Sequence, residues 1–230
     1  AIFIEVGGIK SELLHEVESF SELAKNFVSV HPMAGREKSG PESARADLFD
    51  SRAWIISKTS KTGDEARKIA KTIGELLGSS IYEMSGNEHD ETIATISHLP
   101  QILSSALGAA LLSSNSESLN LAGQGLRDVS RLADSDAELW SELLVGNTGP
   151  LVPKLAEVIN RLSALQAGLV LKDQEAIKSF LLEGRKGREK IPGKHGGVSR
   201  DYSYVPIVID DKPGGLARIF NECAAIGVNV

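Results

Sequence analysis

The chain has 230 residues, 31 of them acidic and 25 basic, for a formal charge of -6. That length suffices for a sizeable core and one or two domains, and the acidic balance argues against nucleic acid or an anionic membrane surface as the main partner. A single cysteine, Cys223, permits no internal disulfide, which fits a reducing cytoplasm, and it reads as a small buried apolar residue. No apolar run is expected to reach the length of a membrane span, and no signal peptide is visible.

Ala1–Ile4 reads as a strand and Glu5–Lys10 as a glycine turn. A helix is predicted from Ser11 to Lys25, with Leu13, Leu14, Val17, Phe20 and Ala24 as its apolar stripe. Phe27–Val30 is the next strand, so the three elements form a right-handed βαβ unit. The first strand has no preceding partner, and no GxGxxG loop follows it. These residues therefore read as the second half of a larger sheet.

His31-Pro32-Met33-Ala34-Gly35 follows that second strand. Ligands of open α/β sheets bind beyond the carboxyl ends of the strands. Pro32 biases His31 away from helix, and imidazole suits proton transfer near neutrality. His31 is thus the candidate base. Arg36–Asp50 is a polar loop beside the crevice, with Gly40-Pro41 as a breaker. Trp54–Ile56 is a strand, Asp64–Leu77 a helix and Ser80–Met84 a last strand.

From Asn87 to Glu183 the apolar period is helical, and such long apolar helices suggest a dimer interface. In this region Asp90, Ala94, Ser97, His98 and Gln101 share one helix face, and Pro100 should kink the helix. His89 and His98 are nine positions apart, which separates them along the helix, so no metal site is expected. Arg127 and Arg131 lie one turn apart with Asp128 between them. Such a pair suits bidentate carboxylate recognition, although a solvated charged face has the same pattern. Ser135 or Asp136 is a natural N-cap for the helix carrying Trp140. Gly184–Ser203 is a basic, glycine-rich strap. Beyond it Tyr204–Ile209 reads as a strand, Asp210–Gly215 as a turn, Leu216–Ala225 as a helix and Val228–Val230 as the start of another strand.

Several of these runs together resemble the prephenate dehydrogenase family. They are His31-Pro32-Met33-Ala34-Gly35-x-Glu37-Lys38-Ser39-Gly40, His89-Asp90, Ser97-His98-Leu99-Pro100, Arg127-Asp128-Val129-Ser130-Arg131-Leu132-Ala133-x-Ser135-Asp136 and Trp140. Val6-Gly7-Gly8-Ile9-Lys10 is similar to the family's Val-Gly-Ser-Val-Lys stretch. Arg188-Glu189-x-Ile191-Pro192-Gly193-Lys194 and Asp211-Lys212-Pro213-Gly214 resemble the linker and opening of the ACT domain that some bacterial members carry. The resemblance spans nearly the whole chain.

It implies a partial Rossmann-type α/β sheet (1–86), an all-α dimerisation and substrate domain (87–184), a linker (185–203) and the start of an incomplete α+β ACT-like, ferredoxin-like domain (204–230). It implies NAD or NADP as cofactor, prephenate as substrate, tyrosine as an effector and a cytoplasmic homodimer. His31 matches the histidine that takes the ring hydroxyl proton, and Arg131 the arginine that binds the ring carboxylate. Asp128 and Trp140 match supporting positions, and Arg127, His98 and Gln101 complete the expected substrate set. Gly7, Gly8 and Pro32 are the expected cofactor positions; Gly214, Gly215 and Asp211 are the expected effector site. Three residues depart from the family pattern: Gly8 replaces a serine that orients the histidine, Arg36 a small threonine, and Gln101 a second histidine. Arogenate dehydrogenase is the nearest alternative. A β-hydroxy-acid dehydrogenase, whose lysine base has no motif here, and a non-catalytic amino-acid sensor are the others.

Overall fold

The computed structural model describes residues 1–35, 40, 44–192, 207, 209 and 212–227. Two compact units divide the chain, Ala1–Gly187 and Arg188–Val230.

The first unit opens with a four-stranded sheet in the order β1-β2-β3-β4: Phe3–Glu5, Phe27–Pro32, Ala53–Ser57 and Ser80–Glu83. β1 and β2 are parallel, as a helical crossover requires, and so are β3 and β4. β2 and β3 are antiparallel, with His31 opposite Ile55 and Pro32 opposite Trp54. No helix is described between them, so the chain is free to turn back. This Rossmann-like sheet is therefore mixed, and the start of β3 lies at the same end as the close of β2.

Alternation along β2 divides its side chains between two faces. Val28 and Val30 pack with Trp54, Ile56, Ala66 and Ala70 beneath α3 (Asp64–Leu76). Phe27 packs with Leu14, Val17 and Ala24 of α1 (Ser11–Glu18) and α2 (Ser21–Lys25). The helix predicted over Ser11–Lys25 is thus two helices: Phe20, at φ -104° and ψ 85°, breaks the run. His31 lies within the end of β2 rather than just past it.

α4 (Gly86–Ile93) starts on a capping box in which Ser85 and Glu88 satisfy each other's end groups. It continues through a π-helical segment, Ala94–His98, into α5 (Leu99–Ala110). Pro100 has no N–H and crowds the carbonyl one turn back; the widened turn immediately precedes it. With a short 3₁₀ turn at Leu111–Ser113, this gives one helical run, Gly86–Ser113, long and apolar enough to cross a membrane by length and composition. That corrects the expectation that no such run exists. His89, Asp90, His98 and Gln101 are buried within it, as suits the central helix of a polar site.

α6 (Ser116–Leu119) and α7 (Gln124–Ser130) follow, then a 3₁₀ turn, Arg131–Asp134. α8 (Ala137–Gly146) is capped by Asp136, whose carboxylate accepts from the Leu139 N–H at 3.1 Å. α9 (Thr148–Leu171) stops at Lys172, which is left-handed (φ 52°), so the apolar pattern over Leu151–Leu182 belongs to two helices. α10 (Gln174–Glu189) runs beyond Gly184, where the strap was expected to begin.

In the second unit the helix predicted at Leu216–Ala225 is present as α11 (Gly215–Ala225), entered through a left-handed Gly214. The expected strands at Tyr204–Ile209 and Val228–Val230 fall largely outside the described residues, as does Asp211; Ile207 and Ile209 are in neither helix nor strand. Cys223 is half-buried rather than buried.

Candidate active site

A buried polar network joins the end of the sheet to α4. The Lys10 side chain is fully buried. Its ammonium donates to Glu5 Oε2 at 2.8 Å, the Gly7 carbonyl at 2.6 Å and the Val30 carbonyl at 2.8 Å, which uses all three of its donors. It thereby ties the β1–α1 turn to the residue before His31. Burial pulls its pKa below the usual lysine range, against the opposing charges of Glu5 and Asp90. Burial also raises Glu5, but hydrogen bonds from Lys10 and Ser29 outweigh it and hold that carboxyl below its usual range.

Asp90 is the second node. Its carboxylate accepts the Lys10 N–H at 2.9 Å and the Ser11 N–H at 2.8 Å, at the positive end of α1. Gly86 permits this approach: a Cβ there would meet the Ser11 Cα at 3.2 Å. The Asp90 carboxylate also accepts from His89 Nδ1 at 2.7 Å. Burial raises its pKa, the bonds from His89 and Ser11 lower it, and the net direction is down.

His89 Nε2 lies 2.8 Å from His31 Nδ1. With Asp90 accepting the Nδ1–H of His89, the tautomer that fits is one in which His89 Nε2 accepts and His31 Nδ1 donates to it. His31 Nε2 is then left with its lone pair. Burial above all, then the repulsion that a protonated His89 and Lys10 exert on an imidazolium, pushes the His31 pKa down to about 3. His31 is therefore neutral throughout the physiological range.

A second histidine has the opposite tautomer. Asn147 Nδ2 donates to the Asp90 carbonyl at 2.9 Å, which fixes the amide's orientation, and lies 3.1 Å from His98 Nδ1. His98 Nδ1 is thus an acceptor and its Nε2–H is the free donor. The Trp140 ring meets His98 edge-on at 5.8 Å. Burial lowers the His98 pKa, with Asp90 pulling the other way.

His31 and His98 both line a cavity of about 540 Å³. Gly8, Arg52, Gln101, Arg131 and Trp140 line it too. Of the expected site residues, His31, His98, Gln101, Arg131, Trp140 and Gly8 thus meet at one place. Gln101 is largely committed to the protein: its Nε2 donates to the Leu132 carbonyl at 2.8 Å and holds the turn carrying Arg131. Ser104 Oγ accepts the Ala133 N–H at 3.0 Å in the same turn.

Arg127 and Asp128 do not line this cavity. Both are exposed on α7, where Arg127 donates to the Ala122 carbonyl and Asp128 accepts from Gln124 at 2.7 Å. α7 ends at Ser130 and Arg131 opens the 3₁₀ turn that follows; Arg131 lines the cavity and Arg127, one turn earlier, does not. Gly7 and Pro32 flank the cavity without lining it. Arg36 lies outside the described residues. Sequence reasoning missed the roles of Lys10, His89 and Asn147 and the presence of Arg52. The adjacency of His89 to Asp90 was the one available signal. Among the described residues no cluster could hold a metal.

The family model for the prephenate dehydrogenase nucleotide-binding domain matches residues 1–83, and that for the dimerisation domain matches residues 85–183. The chain belongs to the prephenate dehydrogenase family. It is 28% identical over 237 aligned residues to a probable prephenate dehydrogenase of Streptomyces niveus, covering 98% of this chain and 66% of that protein. It is 25% identical to the prephenate dehydrogenase of Bacillus subtilis, covering 100% of this chain and 62% of that one. The chain thus spans just under two-thirds of these curated relatives. The Aquifex aeolicus prephenate dehydrogenase, solved with hydroxyphenyl propionate and NAD+, superposes with a TM-score of 0.73 at 29% identity, over 83% of this chain and 67% of that one. The Synechocystis arogenate dehydrogenase superposes at 0.67 and 28% identity, over 83% and 69% of the two chains.

Proposed function

We propose that the protein is an NAD-dependent prephenate dehydrogenase of the cytoplasm. The observation that carries this reading is the pairing, on one cavity wall, of a neutral His31 with an unprotonated Nε2 and the Arg131 guanidinium. Prephenate offers a ring hydroxyl to the first and a ring carboxylate to the second.

The residues present suit the nicotinamide end of the cofactor. Gly8, at the carboxyl end of β1, is a backbone surface with no side chain on the cavity wall, where a Cβ would already meet Leu143 at 2.9 Å. Gly7 and Pro32 are adjacent. When bound, NAD supplies the hydride acceptor.

The remaining work falls to this chain. His31 Nε2 takes the hydroxyl proton as hydride departs from the same carbon. His89 accepts from His31 Nδ1, Asp90 behind it holds His89 in that tautomer, and burial, which disfavours the imidazolium, favours the return of the proton from Nε2. Arg131 holds the ring carboxylate until its carbon–carbon bond breaks and carbon dioxide leaves. The ring becomes aromatic, and His31 returns its proton to the phenolate oxygen, giving 4-hydroxyphenylpyruvate. His98 Nε2–H is a donor for a second oxygen of the substrate. Gly8 removes the family's usual serine partner for the histidine, and the bond that His31 Nδ1 donates to His89 Nε2 orients His31 in its place.

The expected homodimer is supported by Ile159, Leu162, Leu169, Leu181 and Leu182, all exposed on α9 and α10 within the segment matched by the dimerisation model. The ACT-like reading places a tyrosine site where Gly214, at φ 88°, opens the N-terminus of α11 beside Gly215; its expected partner Asp211 lies outside the described residues. Deleting everything after Arg200 should abolish tyrosine inhibition and spare turnover.

Assay of the full-length protein with prephenate and NAD tests the main reading. Stoichiometric NADH, carbon dioxide and 4-hydroxyphenylpyruvate are expected. No turnover would leave the non-catalytic sensor in its place.

A further inference from the structure

Arg52 precedes β3, and the antiparallel pairing of β3 with β2 carries it to the end of the sheet where His31 lies. The Met33 N–H donates to the Ala53 carbonyl at 2.8 Å, locking that end. Arg52 lines the same cavity as His31, His98 and Arg131. Among the described residues its guanidinium has no hydrogen bond or ion pair. Asp47, which feels the Arg52 charge, is held by Arg45 at 2.7 Å. The cavity therefore has two guanidinium groups, from different elements, and no carboxylate among its described lining residues.

We infer that Arg52 binds the side-chain carboxylate of the substrate and thereby selects the 2-oxo acid over the 2-amino acid. This rests on the reading that the cavity takes a cyclohexadienyl dicarboxylate. The two candidate substrates share both carboxylates and the ring hydroxyl. They differ at one carbon, next to the side-chain carboxylate, which carries a carbonyl in prephenate and an ammonium in arogenate. A guanidinium forking onto that carboxylate places a fixed positive charge beside this carbon. The carbonyl accepts hydrogen bonds and tolerates such a neighbour. The ammonium is repelled by it, and finds no acceptor of opposite charge on the described wall. A buried group left unpaired is penalised more heavily than a paired one is rewarded.

Calorimetric titration and steady-state turnover of the full-length protein, each with prephenate and with arogenate, test the inference. The wild type should bind prephenate roughly 10- to 100-fold more tightly than arogenate, the span expected for leaving the ammonium unpaired beside a like charge. Arg52→Gln should weaken prephenate binding and collapse that ratio toward unity. Arg52→Glu, which offers the ammonium a partner, should invert it. A ratio unchanged by both variants, or no wild-type preference, overturns the inference while leaving the dehydrogenase reading intact. Arg52-dependent binding without NADH formation overturns the dehydrogenase reading and leaves the inference standing. Failure of the wild type to bind either compound overturns both.

Discussion

A single proton assignment governs the site. Asp90 holds the Nδ1–H of His89, His89 in turn accepts from His31, and the base is left facing the cavity with its lone pair free. Histidine ring signals followed by NMR should show His31 as the Nδ1–H tautomer at pH 7. It should remain neutral on acidification well below the ordinary histidine value of about 6.5, since its pKa is pushed down to about 3. Titration near 6.5 would contradict that geometry. Asp90→Asn removes the charged acceptor of two backbone N–H groups and of His89. It should cost about 1.5–3 kcal/mol in chemical denaturation, the usual worth of a hydrogen bond to a charged group, and lower kcat while leaving KM for prephenate nearly unchanged. His31 was legible because it closes a strand at the crevice end of the sheet, and Arg131 through the resemblance of its run to the family's carboxylate-binding motif. Lys10 and Asn147 were not: a lysine in a glycine turn reads as solvated, and nothing local reveals that three acceptors converge on its ammonium.

Element by element, strand and helix positions followed the apolar periods, and the departures have local causes. Phe20 splits the first helix, Lys172 separates α9 from α10, and Pro100 is preceded by a π-helical turn. The reversal of β3 was not legible, because strand direction depends on the connection, and a polar loop permits either sense. That reversal brings Arg52 into the site, so the missed topology and the missed residue have one origin. The seam between α1 and α4 is similarly invisible in the sequence, although Gly86 sets it. Gly86→Ala would drive a Cβ to 3.0 Å from Leu14 Cδ1 and 3.2 Å from the Ser11 Cα. Overpacking of this kind costs about 1–3 kcal/mol; thermal unfolding should register the loss, and Asp90 should release the Lys10 and Ser11 N–H groups. An unchanged Tm would mean that the helices part freely there.

At the scale of the whole molecule, the titrating groups act in one direction. His31 and His98 have folded pKa values below the unfolded histidine value, so between about pH 6.5 and 3 the unfolded chain binds more protons. Glu5 and Asp90, also lowered, add a further loss as pH falls through and below the usual carboxylate range. Stability should therefore decline steadily on acidification from neutrality, and His31→Asn should flatten the upper part of that decline. A second whole-molecule expectation follows from the exposed apolar faces of α9 and α10. Leu162→Glu should shift the proposed dimer toward monomer in sedimentation, and an unaltered dimer would place its interface elsewhere. The central claim is that His31 is the base for prephenate oxidation, and its most direct test is the His31→Asn variant of the full-length protein. Calorimetry should show prephenate binding close to wild type, while prephenate-dependent NADH formation falls by roughly 10²–10⁴-fold, the usual contribution of a positioned base. NADH formation at close to the wild-type rate would contradict the account.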